Sequence, residues 1–223
     1  MDEDDYRVRI GTEVSERLAR SGAALKIPSY DLDIFVVRDF LSKAECDQLI
    51  AMIDAHRVPS RLLSPTADPE FRTSESCNLD PANSFVQEIE AKIAQLLGID
   101  PVHGETIQGQ RYDVGQRFKL HHDYFHIDQP YWEAMVRTGG QRTWTAMIFL
   151  NEPEGGGETW FAKAGIKVTP RTGNLLAWNN MNIIGEPNEY SLHEGMPVTA
   201  GVKYIITKWH REGHWSYSDT PDY

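Results

Sequence analysis

Apolar positions recur at helical spacing in two stretches of the N-terminal half. Over Ala44–Ala55, Leu49, Ile50 and Ile53 fall on one side. The preceding Ser42-Lys43-Ala44-Glu45 is a capping-box pattern, in which serine and glutamate satisfy each other's backbone N–H groups. Over Ala82–Leu97, Phe85, Ile89, Ile93 and Leu97 recur every four residues, and Gly98 follows as a helix stop. Asp33-Ile34-Phe35-Val36-Val37 is an apolar run suited to an early strand. Residues 1–28 read as a polar arm carrying a short helix over Glu13–Ala19, and Arg57–Asn78 reads as irregular surface loop.

Beyond Pro101 the period shortens to that of strands. Candidates are Thr106–Asp113, Phe118–Phe125, Thr143–Leu150, Thr159–Phe161, Ile166–Val168, Asn174–Trp178, Tyr190–His193 and Val202–Trp209. Glycine and proline punctuate them at Gly139-Gly140, Gly155-Gly156-Gly157, Pro170-Arg171-Thr172-Gly173 and Glu186-Pro187-Asn188. Many short strands with such turns predict a sandwich or barrel, with helices of the N-terminal half covering one face. No repeat or low-complexity tract divides the chain. One domain over 29–215 is expected, between the arm 1–28 and a C-terminal tail 216–223; His210 and His214 read as polar tail in preference to a second metal site.

Composition narrows the partners. The 223 residues carry 33 acidic against 22 basic side chains, a formal charge of -11, which disfavours nucleic acid and anionic membrane. The acidic start Met1-Asp2-Glu3-Asp4-Asp5 is unlike a signal peptide, and no apolar run reaches membrane-spanning length. The expectation is a soluble, cytoplasmic protein. Cys46 and Cys77 lack the spaced partners of a disulfide framework or zinc site.

Chemistry concentrates in Gly115–Phe125. On a strand, residues i and i+2 share a face, so His121 and Asp123 would reach into one space while His122 points away. An imidazole and a carboxylate so placed supply two ligands of a 2-His-1-carboxylate site, which holds non-haem Fe(II) and leaves the other side open. His193, in Ser191-Leu192-His193-Glu194-Gly195, is the candidate third ligand. Against this stands the frequency of His-x-Asp in a chain with eight histidines; surface residues are the plain alternative. A second copy, His126-Ile127-Asp128, runs into Gln129-Pro130 and reads as a strand end or loop. Lys203, in the mostly apolar Val202–Trp209, either faces solvent or is a buried cation awaiting a carboxylate.

The motifs around these residues resemble, in order, the prolyl 4-hydroxylase catalytic domain. Arg111-Tyr112-Asp113-Val114-Gly115-Gln116-Arg117-Phe118 leads into His121-x-Asp123-Tyr124-Phe125. Then come Arg142-Thr143-Trp144-Thr145, Phe149-Leu150-Asn151, Gly156-Gly157-Glu158-Thr159-x-Phe161 and Pro170-x-x-Gly173. Leu192-His193-x-Gly195-x-Pro197-Val198 and Gly201-x-Lys203 complete the series, and Arg72-Thr73-Ser74 matches an upstream segment. The resemblance spans about Asp33 to Trp209. It implies a mainly β double-stranded β-helix (jelly-roll) with flanking N-terminal helices, using Fe(II), 2-oxoglutarate and O2, with ascorbate as rescuing reductant.

By position, His121, Asp123 and His193 take the iron-ligand roles. Lys203 takes the far carboxylate of 2-oxoglutarate, with Thr159 and Tyr112 as hydrogen-bonding neighbours. Phe118, Arg142 and Trp209 fall where that family lines its peptide groove, although phenylalanine stands at position 118 where tyrosine is frequent. The implied reaction hydroxylates a prolyl residue in a peptide or protein, releasing succinate and CO2. Two alternatives remain open: a hydroxylase of a free amino acid or small metabolite, and a non-catalytic jelly-roll that senses metal or 2-oxoglutarate. The sequence leaves the oligomeric state open.

Overall fold

The computed structural model describes residues 3–64 and 66–216. Four helices are α1 (Glu3–Arg20), α2 (Lys43–His56), α3 (Ser84–Leu97) and α4 (Trp132–Arg137). The strands of the N-terminal half are β1 (Ala24–Lys26), β2 (Ile34–Val37), β3 (Val58–Pro59) and β4 (Glu75–Asn78). After them come β5 (Gln108–Tyr112), β6 (Phe118–His121), β7 (Arg142–Phe149), β8 (Gly155–Gly156) and β9 (Thr159–Phe161). The chain closes with β10 (Ile166–Val168), β11 (Leu175–Asn179), β12 (His193–Gly195), β13 (Val198–Ala200) and β14 (Lys203–Arg211). Among the described residues no helix is long and apolar enough to cross a membrane.

Eight strands form one antiparallel sheet in the order β1-β2-β11-β7-β14-β5-β4-β3, and a smaller antiparallel sheet runs β10-β9-β12-β6. Side-chain alternation gives the large sheet two different faces. Trp144, Ala146 and Ile148 of β7, Leu175 and Ala177 of β11, and Ile206 of β14 pack with α1, α2 and α3. The intervening Met147, Phe149, Leu176, Trp178 and Ile205 pack with Phe161 of the small sheet. Both faces are thus buried, so β7 has no solvent-facing stripe and reads as a continuous run. This two-sheet arrangement with helices outside one sheet is a double-stranded β-helix.

The helices start and stop on the signals in the sequence. Ser42 Oγ accepts from Glu45 N at 3.3 Å, and Glu45 Oε2 accepts from Ser42 N at 2.8 Å, the reciprocal capping box. Asn83 caps α3 through Phe85 N at 2.9 Å, and Gly98 closes it at φ 75°, a left-handed conformation suited to glycine.

The N-terminal segment differs from a loose polar arm. Its helix runs from Glu3 to Arg20, and Ile10, Val14 and Leu18 are buried in the core. The apolar stripe is one residue wide on an otherwise charged helix, which is why composition hides it. Arg17 also donates to Leu96 O and Gln95 O at the C-terminal end of α3, where carbonyls lack helical partners. Several further elements escape the periodicity: β1, β3 (within the expected loop), β8 (within an expected turn) and β13, besides β4 and α4. The polar β4, within the expected loop, pairs with β5, and α4 is a single short helix with one buried residue, Met135. His210 belongs to β14 and is buried, not part of a tail. The expected tail itself lies outside the described residues beyond Ser216.

Candidate metal centre and substrate cleft

Strand pairing brings the three candidate ligands together. His193 opens β12 and stands directly opposite His121, the last residue of β6. It begins a strand where the sequence pattern places it at a strand end. Asp123 lies just beyond β6, yet its carboxylate returns to the same side, with Oδ1 at 3.8 Å from His121 Nε2. One ligand atom from each of His121, Asp123 and His193 can be chosen so that all lie within 4.8 Å of one another. Each imidazole is oriented by a carbonyl: Nδ1 of His121 lies 2.7 Å from Lys119 O, and Nδ1 of His193 lies 2.8 Å from Ser191 O. A carbonyl requires N–H at Nδ1, which leaves the Nε2 lone pair for a metal.

The carboxylate is held from behind. Thr145 of β7 donates from Oγ1 to Asp123 Oδ2 at 2.8 Å and accepts from Asn180 Nδ2 at 2.9 Å. Trp178 Nε1 in turn donates to Asn180 Oδ1 at 3.1 Å. Thr145, Asn180 and Trp178 are all buried, so this relay is shielded from water. Burial alone would raise the pKa of Asp123, but His193, His121, Arg142 and the Thr145 hydroxyl outweigh it and hold the carboxyl below its ordinary value. Burial, with His193 adjacent, pushes His121 well below the usual histidine range. A charged carboxylate beside a neutral imidazole is the protonation state a divalent metal requires. The second His-x-Asp copy lies outside the cluster: His126 and Asp128 are exposed, with His126 at the wall of the outer cleft.

A narrow inner chamber continues from the cluster to Lys203, lined also by Tyr112, Thr159 and Gly195. Lys203 is 1% exposed, which removes the solvent-facing alternative. It pairs across the sheet with Tyr112, and Thr159 pairs with Gly195. Burial pulls the ammonium down to about 7, opposed by Glu158. Gly157 closes the loop over the lysine stem; at φ 74°, a Cβ there would stand 3.1 Å from Lys203 Cδ. Thr159 Oγ1 is buried with no hydrogen-bond partner among the described residues. A deep cation beside an orphaned hydroxyl fits a small carboxylate such as that of 2-oxoglutarate. Tyr112 directs its hydroxyl to Gln110 Oε1 at 2.6 Å and presents its ring to the ammonium.

Outward from the cluster lies a cleft of about 500 Å³. Phe118 borders both spaces and stacks on His121 with ring centroids 3.5 Å apart. Trp209 also borders both, its indole Nε1 buried without an acceptor among the described residues. Arg142 lies 4.0 Å over the Trp209 ring and is tied to Glu105 through Nε at 2.6 Å and Nη2 at 2.7 Å. It is therefore a largely buried ion-pair partner in the cleft wall. Arg211 shares the same Glu105. Burial opposes ionisation of Glu105, but the two arginines bring its pKa to about 2. Glu105 and Asn180 lie outside the sequence motifs, and Thr145, though it ends the motif Arg142-Thr143-Trp144-Thr145, carries no role there. For Thr145 a signal exists, a hydroxyl at an inward position between apolar neighbours of β7.

A jelly-roll carrying two histidines on facing strands and an aspartate just beyond one of them, beside a buried lysine, defines the class of Fe(II)/2-oxoglutarate oxygenases. Consistent with this, the 2OG-Fe(II) oxygenase superfamily profile matches residues 107–211. The chain is 33% identical to the probable prolyl 4-hydroxylase 3 of Arabidopsis thaliana, over 94% of this chain and 80% of that protein. It is 31% identical to a putative prolyl 4-hydroxylase of Acanthamoeba polyphaga mimivirus, over 82% of this chain and 75% of that one. Among solved structures, the viral collagen prolyl hydroxylase of Paramecium Bursaria Chlorella virus-1, in complex with 2-oxoglutarate, superposes with a TM-score of 0.64 at 28% identity, covering 80% of this chain and 95% of that one. A Trichoplax adhaerens prolyl hydroxylase shares the fold at a TM-score of 0.63 and 14% identity, covering 93% of this chain and 91% of that one. The chain belongs to the prolyl 4-hydroxylase family and is a 2-oxoglutarate-dependent dioxygenase.

Proposed function

We propose that this protein hydroxylates a prolyl residue within a peptide or protein, with 2-oxoglutarate converted to succinate and CO2. The observation that carries the reading is the continuity of two spaces: the inner chamber around Lys203 meets the outer cleft at His121, Asp123, Phe118 and Trp209. A cosubstrate held by Lys203 and a peptide lying in the cleft would therefore converge on the same three ligands. Fe(II) held by His121, Asp123 and His193 supplies, with 2-oxoglutarate and O2, the oxidising power that replaces C–H by C–OH.

The protein's own part is positioning. Lys203 would pair with the far carboxylate of 2-oxoglutarate while Thr159 donates its hydroxyl hydrogen. Thr145 fixes the orientation of the Asp123 carboxylate, and the two histidine–carbonyl contacts fix the rings. Phe118 and the Trp209 indole give the junction an apolar rim suited to a pyrrolidine ring, and the unpartnered Trp209 Nε1–H suits a peptide carbonyl. In this account Arg142 acts through Trp209 and Glu105, as a support of the groove. Ascorbate serves as the reductant that restores Fe(II) after turnover without substrate.

The test is mass spectrometry of a panel of proline-containing peptides incubated with protein, Fe(II), 2-oxoglutarate and ascorbate. A gain of one oxygen on proline is expected from the wild type and from Asp128→Ala, and none from His121→Ala or Asp123→Ala. Hydroxylation of free proline or another small molecule alone would reject the peptide assignment.

A further inference from the structure

The cleft reverses the charge balance of the chain. Overall, 33 acidic residues oppose 22 basic ones. Among the described residues, the cleft wall holds four arginines, Arg61, Arg72, Arg142 and Arg211, and two carboxylates, Glu105 and Asp123. Asp123 belongs to the ligand cluster, and Glu105 is shared by Arg142 and Arg211. A positive cleft on a negative protein concentrates anions at that one place.

Arg72 differs from the other two inner arginines in what it touches. Its Nε donates to Ser74 Oγ at 3.3 Å, Nη1 to the Arg61 carbonyl at 3.2 Å and Nη2 to Gln108 Oε1 at 2.8 Å. All three acceptors are neutral. Burial lowers its pKa, yet a guanidinium keeps its charge at neutral pH. A partly buried cation whose hydrogen bonds go to neutral groups, with the Asp123 carboxylate as its neighbouring anion, gains from an arriving carboxylate, because its desolvation is already incurred. The guanidinium also lies 4.7 Å over the Phe118 ring, which stacks on the His121 imidazole at 3.5 Å and meets Phe71 edge-on at 5.9 Å. One aromatic ring therefore separates this cation from the ligand cluster. Successive Cα atoms are about 3.8 Å apart, so a side chain flanking a residue at the cluster can span that distance.

We infer that the substrate is an acidic proline-containing peptide, with an Asp or Glu side chain flanking the target proline received by Arg72. The inference rests on the prolyl-hydroxylase reading and narrows it. A C-terminal carboxylate offers the same chemistry as an acidic side chain, so the peptides that test it are made with amidated and with free C-termini.

The experiment measures kcat/KM of the Fe(II)-loaded protein, at saturating 2-oxoglutarate, for peptides differing only in a Glu, Gln or Lys beside the proline. The Glu peptide should exceed the Gln peptide by about tenfold, the scale of a charge-assisted hydrogen bond. The Lys peptide should be poorest, the Glu advantage should shrink as salt is raised, and amidation should leave it intact. In Arg72→Gln the Glu-to-Gln ratio should fall toward one; the wild-type peptide series and its salt dependence read the same interaction without relying on that variant. Equal efficiency for Glu and Gln peptides in the wild type overturns the inference and leaves prolyl hydroxylation standing. A Glu preference that persists in Arg72→Gln overturns the role of Arg72, and one lost on amidation moves the anion to the chain end. No oxygen gain on any proline peptide, with 2-oxoglutarate turnover intact on another substrate, overturns the prolyl reading as well.

Discussion

Replacing Thr145 with valine keeps shape and removes one hydroxyl. In the folded protein that hydroxyl donates to Asp123 Oδ2 at 2.8 Å and accepts from Asn180 Nδ2 at 2.9 Å, both in buried surroundings. A hydrogen bond to a charged group contributes about 1.5–3 kcal/mol, and the stranded Asn180 donor costs about 1–3 kcal/mol more. Ligand-free Thr145→Val should therefore unfold at lower temperature than the wild type. Its carboxylate, no longer fixed, should bind metal about 10–100-fold more weakly, the usual effect of removing a group that orients a ligand. The acid limb of metal binding should also move to higher pH, because the lost bond favours the charged form of Asp123. Anaerobic calorimetric titration with Fe(II) or Mn(II), alongside thermal melts, measures these effects. Thr145→Ser restores the hydroxyl and should restore most of the affinity. A folded Thr145→Val that binds metal as tightly as the wild type would refute the positioning role.

Two further outcomes follow from buried charges. Lys203→Met should weaken 2-oxoglutarate binding by about tenfold to a hundredfold while metal affinity is largely kept, as read by titration of the metal-loaded protein. Because the folded pKa of Lys203 is drawn down to about 7, the unfolded chain holds more protons above that pH. Ligand-free stability should therefore rise with pH from about 7 toward the ordinary lysine value, while 2-oxoglutarate affinity falls; a pH-independent affinity would contradict the pairing. Glu105→Gln should lower unfolding free energy by about 3–5 kcal/mol at neutral pH, since Arg142 and Arg211 lose their shared anion. The Glu105 pKa is lowered to about 2 on folding, so its stabilisation is complete above the ordinary value of 4.5 and is lost as pH falls toward 2. Denaturation of both proteins across that window should show the gap closing, and a constant gap would contradict the ion-pair account.

The sequence made the strand-rich half legible because period-two patterning and glycine turns act locally. It located His121 and Asp123 for the same reason, since two residues apart on an extended chain share a side even where β6 ends before Asp123. His193 was a candidate by residue type, and the order of the family motifs assigned its role, because the register that sets it opposite His121 is a long-range pairing. Lys203 stayed ambiguous by periodicity: a strand covered on both faces carries no alternation that separates inside from outside. The full length of the N-terminal helix was hidden by charge: only Glu13–Ala19 was legible, and its core contacts rest on Tyr6, Ile10, Val14 and Leu18. Glu105 and Arg211 were illegible as a pair, since each becomes buried only when its partner is present.

The most direct test of the central claim follows the oxygen. The wild-type protein, with Fe(II) and 2-oxoglutarate, is given ¹⁸O2 and a proline-containing peptide, and both products are weighed by mass spectrometry. The account predicts peptide-dependent succinate formation with labelled oxygen in both the hydroxyproline and the succinate, in matched amounts. Succinate that forms at the same rate without peptide, or a hydroxyproline carrying no label under conditions that exclude exchange with water, would contradict it.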